Sequence, residues 1–189
     1  MGGETPKGNG VCSKMQAIPQ TSLLSLFELL VATGGITVLG CPEQDFFFDS
    51  VATDSRNVVA GGMFIPLVGE FQDGHNYIPA ALEKGASVVL VNKDFASSSL
   101  EQIKEWHQDF PATTFVAVDH TMYGLQAAAT AYVKKFPQLI PIGITGSSGK
   151  TTTKEILASL LSTRYKVVMN KGNLNSETGL PLSCFEIRP

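Results

Sequence analysis

The stretch IPIGITGSSGKTTTKE, residues 140–155, constrains the fold more than any other part of this sequence. Apolar residues 140–144 predict a strand, small residues 145–149 predict a loop, and apolar residues at helical spacing follow Lys150. A strand, a glycine loop, Lys-Thr and a helix make up a phosphate-binding loop, in which backbone N–H groups and the helix N-terminus face an anion. The sequence therefore predicts a nucleotide-binding site at this junction.

Individual residues of the loop suit separate tasks. Gly146 and Gly149 permit backbone angles and close approaches that a Cβ would forbid. Lys150 is predicted to reach the β- and γ-phosphates, and the Thr151 hydroxyl is predicted to ligate Mg²⁺. Ile144 stands where the general pattern of such loops has a glycine, so an ordinary turn between a strand and a helix is the alternative. The other residues predicted to contact the nucleotide are Thr145, Ser147, Ser148 and Thr152.

Composition narrows the class of protein. A chain of 189 residues with 43% hydrophobic residues can bury a core, and a net charge of −3 argues against a nucleic-acid partner. Its three cysteines form no C-x-x-C pair and are expected to be free thiols in a reducing compartment. No apolar run reaches the roughly 18 residues of a membrane span, and residues 1–20 lack the apolar centre of a secretory signal. We expect a cytoplasmic protein with no membrane partner, monomeric, with a flexible tail over residues 1–20.

Ahead of the loop, strand and helix patterns alternate. Such alternation predicts an α/β fold with a parallel sheet and right-handed crossovers. The predicted strands are 36–39, 48–53, 63–68, 87–91 and 114–118, and the predicted helices are 21–33, 76–84, 98–107 and 125–136.

We expect a domain boundary near residues 119–122, between an N-terminal domain, 21–119, and the start of a nucleotide-binding domain, 120–189. The second unit contributes the strand 140–144, one helix and a strand at 166–169. Doubly wound nucleotide-binding domains usually have about five or more strands. The second domain is therefore expected to be truncated, and the chain to be the front part of a longer enzyme.

Two polar loops of the front unit are candidate binding sites. Asp54, Ser55 and Arg56 follow a predicted strand, and their hydroxyl, guanidinium and backbone N–H groups suit a diphosphate or a uracil. Asp73 and His75 lie at a strand-to-helix junction, where ligands of α/β proteins bind. On spacing alone, an ordinary turn explains the first loop better and the second at least as well.

The sequence resembles the Mur ligases, the ATP-dependent amino-acid-adding enzymes of peptidoglycan synthesis. Residues 145–151 match the family pattern T-G-[ST]-x-G-K-[ST] in full, and residues 53–86 resemble the N-terminal domain that holds the uridine diphosphate of the substrate. GNLNSETGLPL, residues 172–182, resembles G-N-x-N-N-x-x-G-x-P of the branch that adds D-alanyl-D-alanine to UDP-N-acetylmuramoyl-tripeptide. Ser176 and Thr178 depart from that pattern, where the branch has Asn and an aliphatic residue.

The resemblance implies an N-terminal α/β substrate domain followed by the truncated start of a P-loop, parallel-sheet, ATP-binding domain. It also implies a mechanism in which the substrate carboxylate attacks the γ-phosphate of ATP and the amine of D-alanyl-D-alanine takes the acyl group. Lys150 would be catalytic, and Mg²⁺ on Thr151 would neutralise charge. Asn173 and Asn175 would lie near the ATP. The residues implied to bind the UDP-N-acetylmuramoyl-tripeptide are Asp54, Ser55, Arg56, Asp73 and His75.

Other functions remain open from the sequence. A Mur ligase of another branch would add the third residue to UDP-N-acetylmuramoyl-dipeptide, and residues 172–181 argue against it. Folylpolyglutamate-type ligases share the loop but begin close to it, whereas about a hundred residues of α/β sequence precede it here. A P-loop kinase or GTPase would lack the front domain. An alternative from a different functional class is a module that binds a nucleotide sugar without catalysis. The chain alone is expected to be inactive as a ligase.

Overall fold

The structure, a computed structural model, describes residues 22–40, 45–170 and 176–189. Predictions for residues 1–20, for Cys12 and Cys41, and for Asn173 and Asn175 lie outside the described residues. The strands are Leu24–Ser25 (β1), Ile36–Leu39 (β2), Phe47–Phe48 (β3), Val51–Ala52 (β4), Met63–Phe64 (β5), Val88–Asn92 (β6) and Thr114–Val118 (β7). The α-helices are Leu26–Thr33 (α1), Ile78–Glu83 (α2), Lys93–Ser98 (α3), Leu100–Asp109 (α4), Thr121–Val133 (α5), Lys150–Leu161 (α6) and Gly179–Cys184 (α7).

The central sheet has five strands in the order β2-β7-β6-β5-β4. Strands β4 to β7 are parallel in sequential order, and β2 pairs antiparallel with β7 at one edge. Both central strands are apolar runs buried on both faces, which is typical of parallel sheets covered on two sides. The predicted parallel α/β fold is confirmed.

Alternating side chains of the sheet form two cores. Leu90 and Val116 pack on one face with α1 and α5, through residues such as Leu29 and Leu125. The alternate residues of these strands, such as Val89 and Phe115, pack on the other face with α2, α3 and α4. The helices therefore cover both faces of the sheet.

Helix α1 begins later than the periodicity predicted. Leu24 and Ser25 pair with β3 instead, and Ser25 then caps α1. The Glu28 N–H donates to the Ser25 hydroxyl at 3.2 Å, and the Ser25 N–H donates to the Glu28 carboxylate at 2.8 Å. This capping box sets the first residue of the helix. The helix ends at Gly34 in the left-handed conformation, as predicted.

Several predicted elements differ in detail from the structure. The strand predicted over 48–53 is the two short strands β3 and β4, and the strand predicted over 63–68 extends only over β5. The predicted helix 98–107 forms as α4, shifted by two residues, and the sequence did not predict α3, which precedes it and meets it at Ser99. The segments 140–144 and 166–169 are not strands, although helix α6 forms between them as predicted. Among the described residues no strand pairs with either segment, so extended backbone there has no ladder partner. Ile140 and Ile142 are accordingly exposed.

The C-terminal segment packs against α5. The Tyr132 hydroxyl donates to the Ile187 carbonyl, and the Tyr132 and Phe185 rings lie 5.6 Å apart. Helix α7 begins within residues 172–182, the segment that resembles the pattern of the D-alanyl-D-alanine-adding branch. Helix α5 itself packs on the sheet. The domain boundary near residues 119–122 stays a prediction.

Candidate functional site

Polar residues lie at or just after the carboxyl ends of the four parallel strands. We call this end of the sheet the carboxyl edge. Asp54 follows β4, the loop that carries Asp73 follows β5, Asn92 ends β6 and Asp119 follows β7. Because these strands are parallel, their carboxyl ends point to the same edge, where ligands of open α/β sheets bind. The two candidate loops of the front unit therefore follow neighbouring strands and share this edge.

The loop after β4 presents a guanidinium group in a fixed orientation. A 3-10 turn, Ser55–Asn57, is capped by the Asp54 carboxylate, which accepts from the Arg56 N–H at 2.9 Å. Nη2 of Arg56 donates to Oδ2 of Asp54 at 2.6 Å, while the Arg56 side chain remains 86% exposed. Hydrogen bonds from the Arg56 side chain and backbone lower the pKa of Asp54 to about 2, and the pKa of Arg56 is raised by the same contact.

The other residues of this loop are placed differently. Ser55 is buried, and its side chain faces the protein more than solvent. The ammonium of Lys84 donates to the Arg56 carbonyl and ties the turn to the end of α2. The exposed fork of Arg56 is therefore the group of this loop that is free to meet an anion, in exchange for its contact with Asp54.

The loop after β5 folds back as a tight hairpin. The Gly69 N–H donates to the Gln72 carbonyl at 2.8 Å, and the Gly74 N–H donates to the Leu67 carbonyl at 3.0 Å. Asp73 then caps a second 3-10 turn, Gly74–Tyr77, by accepting from the His75 N–H at 2.9 Å. The hairpin thus delivers Asp73 and His75 to the start of α2.

The imidazole of His75 is held by the protein at both ring nitrogens. Nδ1 lies 2.6 Å from Oδ1 of Asp73, and the Asn92 N–H donates to Nε2 at 3.2 Å. Since a backbone N–H can only donate, Nε2 carries the lone pair and the proton lies on Nδ1, which donates to Asp73. The ring is 1% exposed and stacks on Phe95 at 4.2 Å. His75 therefore connects the hairpin to the end of β6, and its predicted role in binding substrate stays a prediction.

Asn92 completes this network, and the sequence analysis did not single it out. Its backbone N–H holds His75, and its side-chain oxygen accepts from the Thr121 N–H at 2.8 Å, at the start of α5. Beside it, Lys93 pairs with Asp119 at 2.7 Å. A polar residue that ends an apolar strand was the available signal for Asn92.

The phosphate-loop segment has the local geometry of an anion site. Gly149 precedes α6 in the left-handed conformation, with φ 76°, and no side chain caps the helix. The first N–H groups of a helix have no intrahelical partner, so those of α6 are available to a ligand. Lys150 Nζ folds back to donate to the Gly146 carbonyl. Thr151 and Thr152 lie in the exposed first turn, so the loop residues are arranged around one N-terminus.

The structure does not bring the two sites into contact. No hydrogen bond or ion pair joins residues 145–152 to residues 54–56 or 73–75, all of which are described. Within the described ranges, no group of three or more His, Cys, Asp or Glu side chains could hold a metal ion. None of the described helices is long and apolar enough to cross a membrane.

Comparison with known proteins identifies the class. The Mur ligase family catalytic domain matches residues 48–132, and the Mur ligase middle domain matches residues 144–189. Together the two matches include the edge loops, the phosphate loop and most of the chain. The chain belongs to the Mur ligase family.

Two curated relatives carry the same name. UDP-N-acetylmuramoyl-tripeptide–D-alanyl-D-alanine ligase of Treponema pallidum is 46% identical over 167 residues, which is 88% of this chain and 35% of that protein. The ligase of the same name from Bacillus subtilis is 39% identical over 70% of this chain and 26% of its own length. The chain thus spans about a third or less of the curated relatives that it matches.

Solved structures agree in fold. A crystal structure of MurF from Acinetobacter baumannii has a TM-score of 0.72 and 28% identity, over 88% of this chain and 34% of that one. MurF from Thermotoga maritima in complex with ADP has a TM-score of 0.52 and 32% identity, over 72% of this chain and 28% of that one.

Proposed function

We propose that this chain is the substrate-binding front and the first ATP-binding segment of a ligase that joins D-alanyl-D-alanine to UDP-N-acetylmuramoyl-tripeptide. The observation that carries this proposal is the 46% identity, over 88% of the chain, to a ligase of that name. That similarity extends over both the edge loops and the phosphate loop. We further propose that the protein works in the cytoplasm as a monomer.

The front unit would bind the uridine diphosphate at the carboxyl edge of its sheet. The exposed fork of Arg56 can donate two parallel hydrogen bonds to phosphate oxygens, a geometry that Lys does not offer. Asp54 would hold that fork, through the contact at 2.6 Å, until phosphate oxygens replace the carboxylate. Ser55, in the same turn, is also proposed to bind the substrate, although its side chain is buried in this structure.

The phosphate loop would bind ATP. Lys150 would leave the Gly146 carbonyl for the phosphates, and the uncapped N–H groups of α6 would receive their oxygens. Thr151 would contribute its hydroxyl to Mg²⁺. When bound, ATP supplies the phosphoryl group that activates the substrate carboxylate for attack by the amine. Asn173 and Asn175, outside the described residues, are proposed to lie near this site.

Calorimetric titration of the chain with UDP-N-acetylmuramoyl-tripeptide tests the front site. We expect binding to the wild-type chain and a roughly tenfold or greater loss of affinity in Arg56→Ala, since hydrogen bonds to charged groups contribute about 1.5–3 kcal/mol. Arg164→Ala is the matched control, because it also removes an arginine but one outside the loop after β4. Arg164 lies over the Tyr165 ring, just beyond α6. Equal effects of the two substitutions, or no binding at all, would refute the proposed front site.

A second titration, with Mg-ATP, tests the phosphate loop separately. Lys150→Ala should remove ATP binding and leave the uridine titration unchanged, because no described hydrogen bond joins the two sites. We expect the chain alone to show no ligase turnover. ADP release that requires both the UDP-N-acetylmuramoyl-tripeptide and D-alanyl-D-alanine would contradict this.

A further inference from the structure

The carboxylate of Asp73 has one oxygen fixed by the protein and one oxygen open. Oδ1 accepts from the His75 N–H at 2.9 Å and from the His75 ring at 2.6 Å. Among the described residues, no hydrogen bond reaches Oδ2, and 46% of the Asp73 side chain is exposed. The carboxylate is therefore an oriented acceptor at the carboxyl edge of the sheet.

The charge of this carboxylate restricts what it can bind. Partial burial acts to raise the pKa of Asp73, but the hydrogen bonds from the His75 backbone and ring outweigh it and lower the pKa. An ionised carboxylate only accepts hydrogen bonds, so its open oxygen suits a neutral donor such as a hydroxyl and repels phosphate. Arg56, on the loop after the neighbouring strand, has the opposite preference.

We propose that Oδ2 of Asp73 accepts a hydrogen bond from a ribose hydroxyl of the uridine ligand, and that His75 is the positioning residue that orients the carboxylate. This inference rests on the proposed function. In a uridine diphosphate the ribose is bonded directly to the diphosphate, so a cationic fork and a carboxylate on adjacent loops match the order of its groups. The base would extend beyond the ribose.

His75 has no ring nitrogen left for the ligand, which is why its part is positional. Nε2 is occupied by the Asn92 N–H and one face of the ring by Phe95. The ring therefore fixes the hairpin to the end of β6 and aims Oδ2 before any ligand arrives. Orienting the acceptor in advance reduces the entropy lost on binding.

The test combines a substitution of Asp73 with changes in the ligand and compares the resulting affinities. Asp73→Asn keeps an oxygen to accept from His75 and places an amide donor where Oδ2 was. Dissociation constants for UDP, 2′-deoxy-UDP, 3′-deoxy-UDP and N3-methyl-UDP are measured with the wild-type chain and with Asp73→Asn. Wild type should lose roughly tenfold or more in affinity for one deoxy nucleotide, and Asp73→Asn should lose that discrimination.

Asp119→Asn is the matched control, because it removes one carboxylate from the same edge without touching the Asp73–His75 pair. It should keep the wild-type ratio between UDP and the deoxy nucleotide. Discrimination that persists in Asp73→Asn, or a wild-type chain sensitive only to N3-methylation, would overturn the inference.

Two substitutions test the positioning role of His75. His75→Asn can place an amide donor near the position of Nδ1 and should keep most of the deoxy discrimination. His75→Phe keeps a ring against Phe95 but offers Asp73 no donor, and should lose it. Equal discrimination in both variants would refute positioning. If either variant fails to fold, Asp73→Asn and the wild-type ligand series still decide whether Asp73 contacts the ribose.

The outcomes separate this inference from the proposed function. If UDP binds, Arg56→Ala weakens it and the deoxy nucleotides bind as tightly as UDP, only the role of Asp73 is wrong. If no uridine ligand binds the wild-type chain, both proposals fail.

Discussion

Gly74→Ala tests whether the hairpin after β5 depends on close backbone packing. A Cβ at residue 74 would lie 2.6 Å from both the backbone nitrogen and the carbonyl oxygen of Leu67. Carbon atoms in contact normally stay about 3.5 Å or more from such neighbours, so the two backbone segments would have to separate by about 1 Å. The obstacle is space, because Gly74 does not have a positive φ.

The cost follows from the hydrogen bonds that depend on this approach. Separation breaks the bond from the Gly74 N–H to the Leu67 carbonyl, and it displaces His75 from Asp73 and from Asn92. At about 1 kcal/mol for each net hydrogen bond, the free energy of unfolding should fall by about 2–3 kcal/mol. That is a large part of the roughly 5–15 kcal/mol that stabilises a typical domain.

Urea unfolding followed by the fluorescence of Trp106 measures this change. Trp106 is the chain's single tryptophan and lies 6.4 Å from each of two stacked rings, Phe95 and Phe115. Gly69→Ala is the matched control in the same hairpin, because its Cβ would meet only the Gln72 carbonyl, at 3.6 Å. The Gly74 variant should unfold at a clearly lower urea midpoint than the control. Equal midpoints would refute the packing argument.

Three further predictions concern other parts of the chain. In Arg56→Ala, the pKa of the Asp54 carboxyl should rise from about 2 toward its ordinary value of 3.8 in a ¹³C NMR titration, and it should stay below that value because the backbone N–H of residue 56 still donates to Asp54. Because the folded pKa is depressed, the contribution of the pair is present above pH 3.8 and is lost as pH falls through about 2. An unchanged titration midpoint would contradict this. Ser25→Ala should lower the free energy of unfolding by about 1 kcal/mol through loss of the α1 cap, and a wild-type urea midpoint would count against it. Amides of α6, a helix with no buried residue, should exchange far faster than those of β6, and similar protection by NMR would disprove it.

Elements with strong local signals were predictable from the sequence. Strand β7 has the predicted bounds, and β6 is shifted by one residue, because each is an apolar run that a covered parallel sheet buries on both faces. Helix α2 follows its predicted pattern, with a proline in its first turn. The two edge loops were located as well, since each follows a strand of the parallel sheet.

Elements that depend on distant partners were not predictable. Residues 140–144 are apolar enough for a strand, but a strand also needs a neighbour, which the described residues do not provide. The network of His75 and Asn92 depends on the approach of a loop and a strand end that are 17 residues apart in sequence. Spacing alone could not distinguish that arrangement from an ordinary turn.

The cations Arg56 and Lys93 at the carboxyl edge are already paired with carboxylates before any ligand binds. Arg56 pairs with Asp54 and Lys93 pairs with Asp119, each at short range. A diphosphate that takes the Arg56 fork therefore replaces one anion by another, and the free energy gained is only the difference between two charge-assisted contacts. If charge attraction were the only contribution, many phosphorylated molecules would bind at this edge with similar affinity. Selectivity for a nucleotide must then come from a group that recognises neutral donors, and among the edge residues described here the open oxygen of Asp73 has that property.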